Sequence, residues 1–111
     1  MAKWRTKMID PASVMVKRGS LYLMRALYDR YFAGLDAVIL LRQDDDLLIM
    51  PVRHTASGGY LLKLRNGAGD RVVSAPDFFR EHGIEDDAEL CLPVTWSTEK
   101  AALCSLGLFG L

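Results

Sequence analysis

The stretch Gly69–Leu92, GDRVVSAPDFFREHGIEDDAELCL, decides how the rest of the chain is read. It opens on a turn signal, Gly69-Asp70, and passes into Val72-Val73, β-branched residues that fit a pleated strand. Pro76 has a fixed φ and no amide donor, which suits the first position of a helix. Phe78 and Phe79 give that helix an apolar side, and Gly83 stops it. Glu85-Asp86-Asp87 forms an acidic turn before a second strand, Ala88–Leu92. Upstream, Tyr60–Arg65 reads as a strand closed by Asn66-Gly67-Ala68-Gly69, a hairpin signal because Asn and Gly tolerate positive φ. Downstream, Ala101–Leu106 offers a fourth strand. The local order is strand, turn, strand, short helix, strand, turn, strand.

The same order recurs earlier. Ser13–Lys17 is a strand, Arg18-Gly19-Ser20 a tight turn, and Leu21-Tyr22-Leu23 the returning strand. Met24, Leu27, Tyr28, Tyr31 and Phe32 then recur at helical spacing, with Gly34 as the stop. Ala37–Leu41 and Leu47–Val52 are strands about the polar turn Gln43–Asp46, and Pro51 places the end of the second at a sheet edge. Aligning Met24 with Pro76 pairs Leu27 with Phe79 and Leu23 with Ala75, which suggests an internal duplication. The expected organisation is a basic N-terminal arm over residues 1–12, a first unit over 13–53, a linker over 54–59 (HTASGG) and a second unit over 60–111. About fifty residues bury too little apolar surface to stand alone, so the two units are expected to share one core. The fold class expected is mainly β with short helices, α+β.

Composition sets the outer limits. The chain has 111 residues, half of them apolar and a quarter charged, as in globular domains. No apolar run approaches the roughly 18 residues of a membrane span. The basic start Met1–Arg5 lacks the apolar segment of a signal peptide. The net charge is zero but uneven: residues 1–34 carry seven Lys/Arg against two acids, and residues 66–111 carry three against eight. Such asymmetry marks either a basic surface for an anionic partner or two complementary surfaces that meet. Cys91 and Cys104 have no metal-ligand spacing, and their strand positions read as buried reduced thiols, consistent with a cytoplasmic protein.

Catalytic signals are thin. His54 and His82 have no Cys, Asp or second His at a ligand spacing, and no phosphate loop, nucleophile elbow or HExxH helix occurs. Ser74 has no evident base nearby. Asp44-Asp45-Asp46 reads as a solvated turn whose carboxylates diverge. The expectation is a non-enzyme without metal or cofactor.

Arg71-Val72-Val73-Ser74-Ala75-Pro76, Phe79-Arg80 and Gly83-Ile84, followed by acids and Ala88-Glu89-Leu90, resemble the AbrB-like swapped-hairpin superfamily, which includes AbrB, the MazE-type antitoxins and MraZ. The resemblance implies two strand-strand-helix-strand-strand units interleaving their hairpins in one β-barrel. It also implies a DNA-binding transcriptional regulator, a homodimer, with contacts from cations at the first hairpin turn and the short helix. Guanidinium groups suit that role, since they bind phosphate and guanine edges bidentately. Carried over by motif, the residues are Lys63 and Arg65 before the second unit's turn, Arg71 after it, Arg80 in its helix, and Lys17 and Arg18 at the first unit's turn. All six are expected on one face. The chain departs from the family pattern where Glu81 and Asp29 stand in place of a second helical arginine, and where Met24 replaces the proline. The alternative is a non-catalytic assembly protein that keeps the barrel without binding DNA. It would engage a protein partner through the apolar tail Ser105–Leu111.

Overall fold

The computed structural model describes residues 12–53 and 58–110. Most of the arm and of the linker, His54 included, lies outside the described residues. The chain runs β1 (Ser13–Lys17), β2 (Ser20–Leu23), α1 (Arg25–Tyr31), β3 (Ala37–Gln43), β4 (Asp46–Val52), β5 (Tyr60–Leu61), β6 (Lys63–Leu64), β7 (Arg71–Ser74), α2 (Pro76–Glu81), β8 (Glu89–Pro93), β9 (Thr95–Ser97) and β10 (Ala102–Ser105). A 3-10 turn, Leu108–Gly110, follows. The protein is mainly β with two short helices, as the sequence led one to expect. Among the described residues no helix is long and apolar enough to cross a membrane.

Two antiparallel sheets form, ordered β6-β7-β2-β1-β8 and β5-β3-β4-β10-β9. They share both of their edges. The segment Tyr60–Leu64 pairs with β3 through β5 and with β7 through β6, changing sheet at Leu62. The segment Glu89–Ser97 pairs with β1 through β8 and with β10 through β9, changing sheet at Val94. At each crossing the backbone amide stays bonded. Leu62 N–H donates to Asp36 O at 2.8 Å, and Val94 N–H donates to Ala12 O at 3.0 Å.

The inner faces follow from alternation, because successive strand side chains point to opposite sides. Val14, Val16, Leu21, Leu23, Leu47, Ile49, Val73 and Leu103 are all buried and meet in one core. The helices contribute Leu27, Phe78 and Phe79, and Phe32 follows α1; Phe32 is 0% exposed and Phe79 1%. Each fully buried aromatic or aliphatic side chain contributes about 1.5–3 kcal/mol of transfer free energy.

Each hairpin turn sits against the start of the other half's helix. The two-residue turn between β1 and β2 has positive φ at both Arg18 (54°) and Gly19 (76°), the requirement of a type I′ hairpin. Gly19 lies so close to Pro76 that a Cβ there would stand 2.6 Å from Pro76 Cβ. The loop between β6 and β7 embraces Arg25: a Cβ on Gly69 would stand 2.8 Å from Arg25 Cδ. Met24, the N-cap of α1, makes no side-chain cap bond. Asp70 Oδ1 accepts from Arg25 N–H at 2.9 Å instead, satisfying one of the orphan donors at that helix start.

Several expectations need correction. The hairpin closed by Asn66-Gly67-Ala68-Gly69 forms, but positive φ is found at Gly69 and not at Asn66 or Gly67. The last strand pair is Leu64 with Arg71, and the wider loop is held by Asn66 Oδ1, which accepts from the amides of Ala68 and Asp70. Cys104 is buried but Cys91 is exposed, because Cys91 lies opposite Met15 on the outward side of β8. The two helices do not align at Met24 and Pro76. Tyr28 N–H bonds Met24 O and Phe79 N–H bonds Ala75 O, so Met24 corresponds to Ala75, one residue earlier. Pro51 falls where expected: β10 pairs with β4 only as far as Ile49, so the end of β4 has β3 as its one strand neighbour and lies at an edge.

Candidate nucleic-acid interface

The outward face of the β6-β7-β2-β1-β8 sheet collects part of the predicted cation set. Cross-strand register places Lys63, Val72, Tyr22, Met15 and Cys91 in one row. A second row holds Ser74, Ser20, Lys17 and Glu89. Lys63 and Lys17 therefore face the same way from strands three apart, a separation of roughly 15 Å at the usual strand spacing. Arg65 joins them, its guanidinium carbon 4.7 Å from the centroid of the Tyr22 ring. Stacking on an aromatic face orients a guanidinium while leaving its N–H groups free to donate. Arg18 is exposed in the hairpin turn that joins β1 and β2, next to Lys17.

The other two cations are directed elsewhere. Arg71 is in register with Leu23, on the side of β7 that carries Val73. Its guanidinium lies 4.0 Å from the Tyr28 ring centroid and donates to Gly69 O at 2.7 Å. These contacts tie β7 to α1. Arg80 Nε pairs with Asp86 Oδ1 at 3.2 Å, with both side chains well exposed; such a surface pair contributes little to stability. The structure thus gathers Lys17, Lys63 and Arg65 on one face with Arg18 next to Lys17 in the turn, and Arg71 and Arg80 are not part of that group.

Two acids accompany the cations. Glu89 stands opposite Lys17. Asp70 is held below the usual carboxylate range, first by the bond from the Asn66 side chain and then by the Arg25 amide. On the opposite side of the fold, Tyr60 Oη donates to Asp77 Oδ2 at 3.1 Å. Burial first, and that bond second, hold the Tyr60 hydroxyl above the ordinary phenol range. Among the described residues no three His, Cys, Asp or Glu side chains gather as a metal site.

Tyr22 and Met15 lie on the same outward face, though the family motif does not include them. Their signal was present in the period-2 alternation of SVMVK and SLYL, which turns Val14, Val16, Leu21 and Leu23 inward and Met15 and Tyr22 outward. The C-terminal tail packs in part on its own chain: Leu108 is buried and Phe109 packs against Phe78 and His82, whereas Leu106 is 74% exposed. Gly107 N–H bonds Asp46 Oδ1 at 2.8 Å, and Phe109 N–H bonds Asp45 O at 2.9 Å. Of the protein-family models, curated proteins and solved structures compared with the chain, none matches it.

Proposed function

We propose that this chain is a cytoplasmic DNA-binding regulator of the AbrB-like kind, whose two units make one swapped-hairpin barrel. The outward face of the hairpin sheet, with Lys17, Arg18, Lys63 and Arg65, contacts the duplex. Support for the doubled unit comes from corresponding positions. Inward residues pair across the halves as Val16 with Leu62, Leu21 with Val73, Val38 with Leu92, Leu40 with Val94 and Leu47 with Leu103, and all ten are buried. The strand pairings correspond too: β1 with β2 as β6 with β7, β1 with β8 as β5 with β3, and β3 with β4 as β9 with β10. The seating of each hairpin turn on the other half's helix supports an exchange of hairpins between the units.

The observation that carries the DNA reading is the placement of Lys17 and Lys63. Lys17 is opposite Ser20 and Lys63 is opposite Val72, and Ser20 and Val72 correspond as Leu21 and Val73 do. Two cations related by a local twofold on one sheet match the twofold symmetry of duplex backbone geometry. Phosphate contacts of this sort give affinity that falls steeply with salt. The partner-binding alternative rests on less of the tail than the sequence offered, since Leu108 and Phe109 pack on their own chain while Leu106 is exposed.

Gel retardation of duplex DNA at two salt concentrations tests this. Binding weakens with salt, and Lys17→Ala and Lys63→Ala each reduce the log–log slope by about 0.9. Arg80→Ala leaves binding near that of the parent chain. Absence of any duplex shift at the lower salt refutes the proposal.

A further inference from the structure

A groove of about 520 Å³ opens between α1 and β9, with Leu27 and Val94 among its apolar lining and Tyr31 and Trp96 beside them. The Tyr31 and Trp96 rings stack in parallel, 4.8 Å between centroids and 7° between planes. Among the described residues Arg30 is the one charged residue of the lining, and no carboxylate lines it. Its guanidinium carbon rests 5.3 Å from the Tyr31 centroid, and it enters no ion pair among the described residues. Ser13 and Thr95 bring hydroxyl groups to the rim. A volume of this order suits a small ligand, and a few polar groups on an apolar surface orient one.

The other half of the molecule indicates what fits. On the correspondence argued above, Leu27 and Tyr31 of α1 match Phe78 and His82 of α2, and Trp96 matches Arg42. There the space is filled by an aromatic ring from the chain itself. Phe109 lies 6.2 Å from Phe78 and 5.3 Å from His82, centroid to centroid, and the Arg42 guanidinium carbon lies 5.3 Å from the Phe109 ring. The groove beside α1 has the same apolar base and a cation at its rim.

We infer that the groove between α1 and β9 binds a small aromatic carboxylate, with the ring against Leu27, Tyr31 and Trp96 and the carboxylate on Arg30. The inference rests on the two-unit reading of the chain but not on DNA binding. Arg30 supplies charge complementarity, since its planar fork accepts a carboxylate bidentately. Leu27, Tyr31 and Trp96 supply apolar and aromatic surface beside that cation for a ring to pack on.

The test uses the full chain with Trp4→Phe, so that emission reports Trp96 alone. Phenylacetate is titrated, with phenylacetamide as the neutral analogue and hexanoate as the non-aromatic acid. Phenylacetate gives a saturable change in emission, and both analogues bind more weakly. Arg30→Gln, an exposed position, weakens phenylacetate about five- to tenfold and leaves the urea midpoint in place. Equal affinity for acid and amide overturns the inference, as does an Arg30→Gln variant that binds like its parent. So does the lack of any saturable change up to about 20 mM. A chain that fails to shift DNA yet binds phenylacetate in this pattern keeps the groove and loses only the DNA proposal.

Discussion

Gly19→Ala is the sharpest test of how the hairpin turn and α2 are joined. Two costs are expected. At φ +76° a Cβ meets the steric penalty of the left-handed region, about 1–2 kcal/mol. The added carbon would also stand 2.6 Å from Pro76 Cβ and 2.7 Å from Pro76 Cα. Ordinary contact begins near 3.4 Å, so the turn and the helix start must part by most of an ångström. Forcing an extra carbon into a packed contact costs about 1–3 kcal/mol. Gly34→Ala isolates the first cost. Its φ is +80°, and a Cβ there meets nothing within 4 Å. Urea unfolding followed by circular dichroism therefore separates the two variants. Gly34→Ala loses about 1 kcal/mol. Gly19→Ala loses about 2–5 kcal/mol, a further midpoint shift of roughly 0.5–2 M at the urea slopes usual for small domains. Equal shifts for the two variants would refute the seating of the turn on Pro76, and with it the main contact between the first hairpin and the second helix.

Two other predictions join those made for DNA and for the groove. Asn66→Ala raises the Asp70 pKa toward its ordinary value of 3.8, as read by carboxyl NMR titration; an unmoved Asp70 would show that the loop bond is unimportant. The sign follows from linkage. A carboxyl depressed in the fold contributes stability that is present above the unfolded value and is lost as pH falls through the folded one, so the variant loses less of its stability on acidification across that window. Phe109→Ala removes a half-buried ring from Phe78 and His82 and costs about 1–3 kcal/mol in urea unfolding; a variant as stable as its parent would mean that the tail contributes nothing to the fold.

Much of the fold was legible because its strong local signals agree with the final packing. Pro76 and Gly83 bound α2 as read, and Gly34, at φ +80°, follows α1. The alternation of β1 and β2 fixed their inner faces. What was missed depends on distant partners. Thr95–Ser97 follows a proline and has no strong pattern of its own; it becomes β9 because Ala102–Cys104 pairs with it. Leu62 looks like any strand residue, and its change of sheet is set by the position of Asp36 O. Arg71 carries the family's motif position, yet register with Leu23 and the ring of Tyr28 decide where its guanidinium goes. The site was legible to the same degree: Lys17, Lys63 and Arg65 were found by motif, whereas the groove beside α1 joins residues 27–31 to residues 94–96, a proximity that no local pattern encodes.

The spacing between corresponding strand positions bears on how two such units could drift apart and still share a core. Lys17 and Lys63 are 46 residues apart, Leu21 and Val73 are 52, Val38 and Leu92 are 54, and Leu47 and Leu103 are 56. Every one of these intervals is even. A strand turns its side chains with period 2, so an odd displacement between paired strands would send a buried set to solvent. On the proposed two-unit reading, length was therefore free to change in the turn before β7, around the helix and in the turn before β10, where a loop absorbs an added residue without inverting a strand. The helices obey no such rule. Met24 and Ala75 stand 51 residues apart as N-caps, an odd interval, because a helix can be met by a one-residue slip at the preceding strand end without inverting any face. Ala75 absorbs that slip: it is still in the β7 ladder, donating its N–H to Gly19 O, while its carbonyl already takes the first bond of α2 from Phe79. Proline at the next position then costs nothing in hydrogen bonding, since that amide has no partner inside the helix. A one-residue insertion after Val72, within β7, should accordingly do far more damage than one in the loop between Asn66 and Gly69. It would turn the buried Val73 position outward, and urea unfolding of the two insertions compares them directly. Similar stability for both would undo the argument from strand parity.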